Sequence, residues 1–233
     1  MISPAKRHFQ QTAAAQGGAF VAAHNGAPVD ANLYELMLMQ LADHKRSLKQ
    51  IQSVERKIEA KRAMLPEYAA YIDGILQADS GRQDEIVMTM MVWSIDVGDF
   101  ARALQIGSYA LRHGLLTPEQ YNRDTATLLA EEIAEARLRG GHVPVEDLVH
   151  VDDLTAGCDM PDEVRAKLKR ALGEAYGEGA PALAVAYLER AIELNKHIGA
   201  KKLLDSLKRK AKAAAEAPAV HPTEAAPDEA SGD

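Results

Sequence analysis

The chain has 233 residues, with 27 Lys and Arg against 34 Asp and Glu, and a formal net charge of −7. Hydrophobic residues make up 47% but aromatics only 5%, so an all-β sandwich or barrel is disfavoured and good helix formers dominate. The one cysteine, Cys158, excludes an internal disulfide framework and a Cys-based zinc finger, and no apolar run has membrane-spanning length. Together these features predict a soluble, all-α protein of a reducing compartment.

Residues 1–30 carry Gly17-Gly18, Asn25-Gly26, Pro4 and Pro28 without periodicity, and read as a flexible arm. Asp30 then reads as an N-cap for one long helix from Ala31 to Met64, which Pro66 should end. Its apolar stripe passes through Met37, Leu41, Leu48, Ile51 and Ile58, a coiled-coil-like seam suited to oligomerisation or to folding back on a second helix. The run Ile86–Ile95 predicts a buried helix. After the turn at Gly98-Asp99 a further helix, Phe100–Arg112, should close at Gly114.

Thr117-Pro118-Glu119 looks like a helix start, with that helix reaching Arg139; Gly140-Gly141 then breaks the chain. A weaker segment spans 145–155. Helices are expected from about Asp162 to Tyr176, Ala180 to Asn195 and His197 to Glu216, followed by a disordered acidic tail over 217–233. The expected organisation is an arm (1–30), a long helix with a helical core (31–115), an acidic helical middle (116–157), C-terminal hairpins (158–216) and the tail. The stretches around Phe100–Leu111 and Leu172–Leu194 have tetratricopeptide-like character, but Ala110 and Ala191 are too far apart for a tandem array.

Charge is segregated along the chain. Residues 31–63 hold seven basic groups against four acidic, and 161–216 hold twelve against eight, while 113–160 hold ten acidic against three basic. Local fields, screened over about 10 Å, decide polyanion binding, so two basic blocks on an acidic chain keep DNA within reach. In the first block Lys45, Arg46, Lys49, Arg56, Lys57 and Lys61 fall largely opposite the apolar seam on a helix of 100° per residue, and Arg62 completes the block. Such a ridge can contact phosphates with little base reading; a solubilising face is the simpler alternative. The second block, around Arg165–Arg170 and Lys201–Lys210, has the same two readings and could also meet an acidic partner.

Catalytic motifs are scarce. There is no G-x-x-x-x-G-K-[ST] loop for ATP and no H-E-x-x-H. His142 and His150 lack a third ligand, and Cys158 reads as a small hydrophobe. Asp96 with Asp99, Glu131-Glu132 with Glu135, and Asp152-Asp153 are the candidate carboxylates for a Mg²⁺-dependent nuclease, although charged solvated faces look the same.

Several blocks carry a family signature: Ser3-Pro4-Ala5-Lys6-Arg7-His8, Tyr34-Glu35 with Met37-Leu38, Asp84–Trp93, Gly98-Asp99-Phe100, and above all Asp159-Met160-Pro161-Asp162-Glu163-Val164-Arg165-Ala166-Lys167. On these residues the chain resembles the small terminase subunits of P2-like tailed bacteriophages. The resemblance implies a viral DNA-packaging role in the host bacterial cytoplasm, with a ring-forming homo-oligomer that binds the cos site of concatemeric DNA. It also implies recruitment of the large terminase subunit, on which ATP and Mg²⁺ would reside, so this chain needs no cofactor. The basic ridge, joined by Lys6 and Arg7, would then be the DNA-binding surface. Members often carry an endonuclease label, which the motifs here assign to the holoenzyme. A helical protein-binding adaptor and an intrinsic Mg²⁺-dependent endonuclease are the competing readings.

Overall fold

The computed structural model of the chain describes residues 3–5, 7, 8, 11, 12, 31–118, 121–177 and 179–216. The expected acidic tail, and most of the expected arm including Lys6, lie outside them. The described residues contain no strand. From residue 31 onward they form α1 (Ala31–Gln50), α2 (Val54–Ala78), α3 (Glu85–Val97), α4 (Phe100–Arg112), α5 (Thr125–Leu138), α6 (Val145–Leu154), α7 (Asp162–Tyr176), α8 (Pro181–Leu194) and α9 (Lys201–Glu216).

The most apolar of these helices, α3, sits at the centre. Every residue from Ile86 to Ile95 is buried, because α1, α2, α4 and α5 all pack against it. Asp84 caps its start by accepting hydrogen bonds from the Ile86 and Val87 N–H groups. Gly98, at φ 83°, ends it in a left-handed conformation that lets its own N–H reach the Ser94 and Ile95 carbonyls. Asp99 then caps α4 through the Arg102 N–H. One apolar cluster runs from Met37 to Leu172, across positions 115 and 157, and a smaller one of Ala184, Leu188, Ala200, Leu204 and Leu207 joins α8 to α9.

Three expectations need correction. The long helix is two helices. The chain leaves α1 at Gln50, and Ser53, with extended backbone, caps α2 by accepting from the Arg56 N–H. Pro66 lies inside α2 rather than ending it. Its missing N–H leaves the Arg62 carbonyl without an intrahelical donor, and the ring stays exposed, so the packing of the flanking turns outweighs the local cost. Finally, α5 starts at Thr125 and not at Thr117. Asp124 supplies the cap to the Thr127 N–H, whereas the Thr117 hydroxyl donates to the Arg123 carbonyl and holds a loop. Glu119 is outside the described residues.

The stretch around Phe100–Leu111, read as a helical hairpin, is a single helix, α4, which packs on α3; the hairpin expected around Leu172–Leu194 forms between α7 and α8. Tetratricopeptide character itself finds no support, since α3 is enclosed on all sides instead of exposing one repeat face.

Candidate nucleic-acid interface

The break at Ile51–Ser53 folds α2 back along α1. Gln40 donates to Glu67, and the Tyr68 hydroxyl meets the His44 ring nitrogen at 2.8 Å. The seam is spent inside the chain by this turn. Met37 and Leu41 are 2% and 1% exposed and Leu48 is also buried. Ile51 is half-buried against the same cluster, while Ile58 is half-buried outside it.

Lys49, in the last turn of α1, and Arg56 and Lys57, in the first turns of α2, are brought to the tip of the hairpin. Lys49 and Arg56 are exposed and Lys57 half-buried, and none of the three takes part in an ion pair among the described residues. Cations near a helix N-terminus oppose the helix dipole, so Arg56 and Lys57 are not there to stabilise α2. The positive end of that dipole reinforces the field at the tip.

The remaining candidates diverge. Lys45 is paired with Glu85 at 2.7 Å, Arg46 with Asp43 on its own helix, and Lys61 with Asp96. Arg62 donates to the Val97 carbonyl at 3.2 Å and rims a groove of about 680 Å³ between α2, α3 and α4, shared with Leu65, Pro66, Met90 and Arg102. Arg7 is exposed. Of the nine candidate cations, Lys49, Arg56 and Lys57 sit at the tip without an ion pair among the described residues, Lys45, Arg46 and Lys61 are paired, exposed Arg7 and Arg62 form no ion pair there either, and Lys6 lies outside the described residues.

The α7 half of the second basic block behaves differently, a distinction the sequence did not reveal. Lys167 donates to Glu131 and Glu135 at 2.7 and 2.6 Å, and Lys169 donates to Asp152 at 2.8 Å. Arg170 holds Glu174 and the Ile198 carbonyl, while Arg165 holds the Thr155 and Cys158 carbonyls. The cations of α7 thus neutralise the acidic middle of the same chain.

Most of the candidate nuclease carboxylates are engaged by contacts of this kind. Glu131 also takes Arg123 at 2.7 Å, Glu135 takes Arg139, Asp96 takes Lys61, and Asp99 serves as a cap. Hydrogen bonding to Lys167 is the main cause that holds the Glu135 carboxyl below its usual range. Half-buried Glu132 is pushed up, first by burial and then by Glu135 and Asp96. No group of three His, Cys, Asp or Glu among the described residues is arranged to hold a metal ion. His142 and His150 are exposed and Cys158 is half-buried. No helix among the described residues is long and apolar enough to cross a membrane.

The family described as phage small terminase subunit matches residues 38–163. The terminase, endonuclease subunit of Escherichia phage P2 is 41% identical over 218 residues, covering 91% of this chain and 87% of that protein. No solved structure matches the chain. The match spans α1 to α7, including the hairpin tip and the ion-paired middle, and the chain belongs to the phage small terminase subunit family.

Proposed function

We propose that this protein serves phage DNA packaging as the DNA-binding, non-motor subunit of a terminase. It engages the cos region of concatemeric DNA through the α1–α2 hairpin tip and brings the large subunit, with its ATP and Mg²⁺, to that site in the host cytoplasm. One observation carries the reading: Lys49, Arg56 and Lys57 stand at the hairpin tip without ion-pair partners among the described residues, whereas the cations of α7 are neutralised internally. Uncompensated cations are what counterion release on phosphate contact requires.

Copies of the chain associate, in this reading as a ring, through surfaces other than the buried seam. Leu36 and Met39, three residues apart on α1 and 57% and 67% exposed, are the apolar side chains we assign to that contact. The endonuclease in the name of the P2 relative is taken as a property of the assembled terminase, because the acidic side chains best placed for a metal are occupied by Lys and Arg.

The test is charge reversal of Lys49, Arg56 and Lys57 together. Retardation of cos DNA should be lost while oligomer size by light scattering stays unchanged. Unaltered retardation overturns the assignment.

A further inference from the structure

Several exposed cations on the body of this protein are held by a carboxylate, while others, such as Arg82, form no ion pair among the described residues. Arg112, Arg139 and Arg190, at 60%, 63% and 56% side-chain exposure, pair with Asp79, Glu135 and Glu193. Acidic residues outnumber basic ones 34 to 27, so partners are in surplus. Helix α9 concentrates cations of the second kind. Lys201, Lys202 and Arg209 are exposed and form no ion pair among the described residues; Arg209 meets only the Asp205 carbonyl, at 3.3 Å.

The geometry of α9 gathers them. Leu204 and Leu207 are buried against α8, which leaves the opposite side of the helix in solvent. Lys202 and Arg209 are seven residues apart, within about 20° around the helix and about 10 Å along it. Lys201 and Lys208 lie together on one side of this ridge, Lys208 paired with Glu189, and exposed Lys196 precedes it on the connection from α8. Asp205 is the one acid on the described face. Six of the twelve residues from Lys201 to Lys212 are cationic.

We infer that the outward face of α9 is a second DNA-backbone contact, separate from the hairpin tip, with Lys201, Lys202 and Arg209 as its phosphate ligands. The inference rests on the reading that the chain binds DNA. It adds that one subunit grips the duplex at two places. The face offers no array of amide side chains for base edges, so its contribution is independent of sequence and strongly salt-dependent.

The experiment measures affinity against salt for a short mixed-sequence duplex, with the full chain carrying Lys201→Gln, Lys202→Gln and Arg209→Gln. Each phosphate contact contributes about −0.9 to the slope of log K against log salt, so the slope should shrink by about 2.7. A matched control, Arg112→Gln with Arg139→Gln and Arg190→Gln, should leave it near wild type. Acetylation footprinting of the unmodified protein should show Lys201 and Lys202 protected by the duplex, independently of how any variant folds. A slope equal to that of the control, or no protection, overturns the inference.

A further arm tests the nearest rival occupant, the acidic segment 217–233. Neutralising Glu224, Asp228, Glu229 and Asp233 in the full chain should leave the α9 contribution in place. DNA protection of Lys201 and Lys202 seen only after that neutralisation would assign the face to the acidic segment instead. The hairpin reading fails separately: an α9 variant with a reduced slope beside a hairpin variant with normal binding overturns the tip and leaves α9 standing.

Discussion

Gly173 on α7 and Leu188 on α8 approach so closely that a Cβ on the glycine would lie 2.6 Å from the leucine Cγ. Both are buried, and the Ala184 carbonyl closes the same space at 3.2 Å, so the leucine has nowhere to move. Gly173→Ala gains up to about 1 kcal/mol of helix propensity but overpacks the contact at a cost of about 1–3 kcal/mol. The variant should be less stable by about 1 kcal/mol in urea titrations. Leu188→Ala should cost less in the Gly173→Ala background than alone, since the cavity relieves the clash; additive losses would overturn the account.

Lys167 ties α7 to α5 by donating to Glu131 and Glu135. Lys167→Met leaves both carboxylates without this donor and should destabilise the chain by about 1–3 kcal/mol at neutral pH. The pH dependence has a definite sign. The Glu135 carboxyl is lowered, first by the Lys167 hydrogen bond, so its contribution is full above about pH 4.5 and fades as pH falls through the lowered value. Burial opposes the charge on Lys167, but its hydrogen bonds to the two glutamates outweigh it and leave the amine raised. Its contribution is therefore complete below about pH 10.5 and lost at higher pH. The gap between wild type and Lys167→Met, read from denaturation midpoints, should form a plateau between these limits and narrow in acid. A gap constant down to pH 3 would refute the pairing.

Much of this fold is legible locally. Asp84, Asp99 and Gly98 announce their helix ends because capping is settled within four residues. The hairpin break is not, since Ile51-Gln52-Ser53 contains no Gly or Pro and the apolar stripe continues in phase from Leu48 through Ile51 to Ile58. The same phase made the seam look like a subunit contact, although its partner is the second half of the same segment. The fate of the two basic blocks was equally hidden. Whether Lys167 and Lys49 are neutralised depends on which carboxylates the fold sets opposite them, 30 or more residues away for Lys167.

Asp84 joins three backbone and side-chain donors: the Ile86 and Val87 N–H groups at 2.8 and 3.0 Å, and the Tyr71 hydroxyl at 2.5 Å. Asp84→Ala should cost about 1–2 kcal/mol for the lost cap, with a further loss from the stranded tyrosine hydroxyl. Asp84→Asn keeps an acceptor for the cap and removes a buried charge, so it should lie close to wild type at pH 7. Burial, outweighing those hydrogen bonds, raises the Asp84 carboxyl above 3.8. A raised carboxyl stabilises the fold in its protonated form, and that contribution is lost as pH rises through the folded value. Wild type should therefore gain on Asp84→Asn as pH falls toward 3.8. The opposite trend would mean that the hydrogen bonds dominate the desolvation.

The hairpin tip is tested most sharply by single neutralisations, because neighbours on one basic ridge differ in how they are compensated. Lys49, Arg56 and Lys57 stand without ion pairs among the described residues, while Lys61, one turn further along α2, is tied to Asp96 and only 19% exposed. A cation already paired within the protein must first give up its carboxylate before it can neutralise a phosphate and release the counterions condensed on the DNA. Lys49→Gln, Arg56→Gln and Lys57→Gln should each flatten the salt dependence of DNA binding by about 0.9 in log–log slope. Lys61→Gln should leave the slope near wild type, even though it removes the same formal charge from the same helix. Equal slope changes for Lys57 and Lys61 would mean that the duplex responds to total charge and that the ion pair to Asp96 opens on binding. A Lys61 effect larger than that of Lys57 would move the contact up α2, toward the groove beside Arg62.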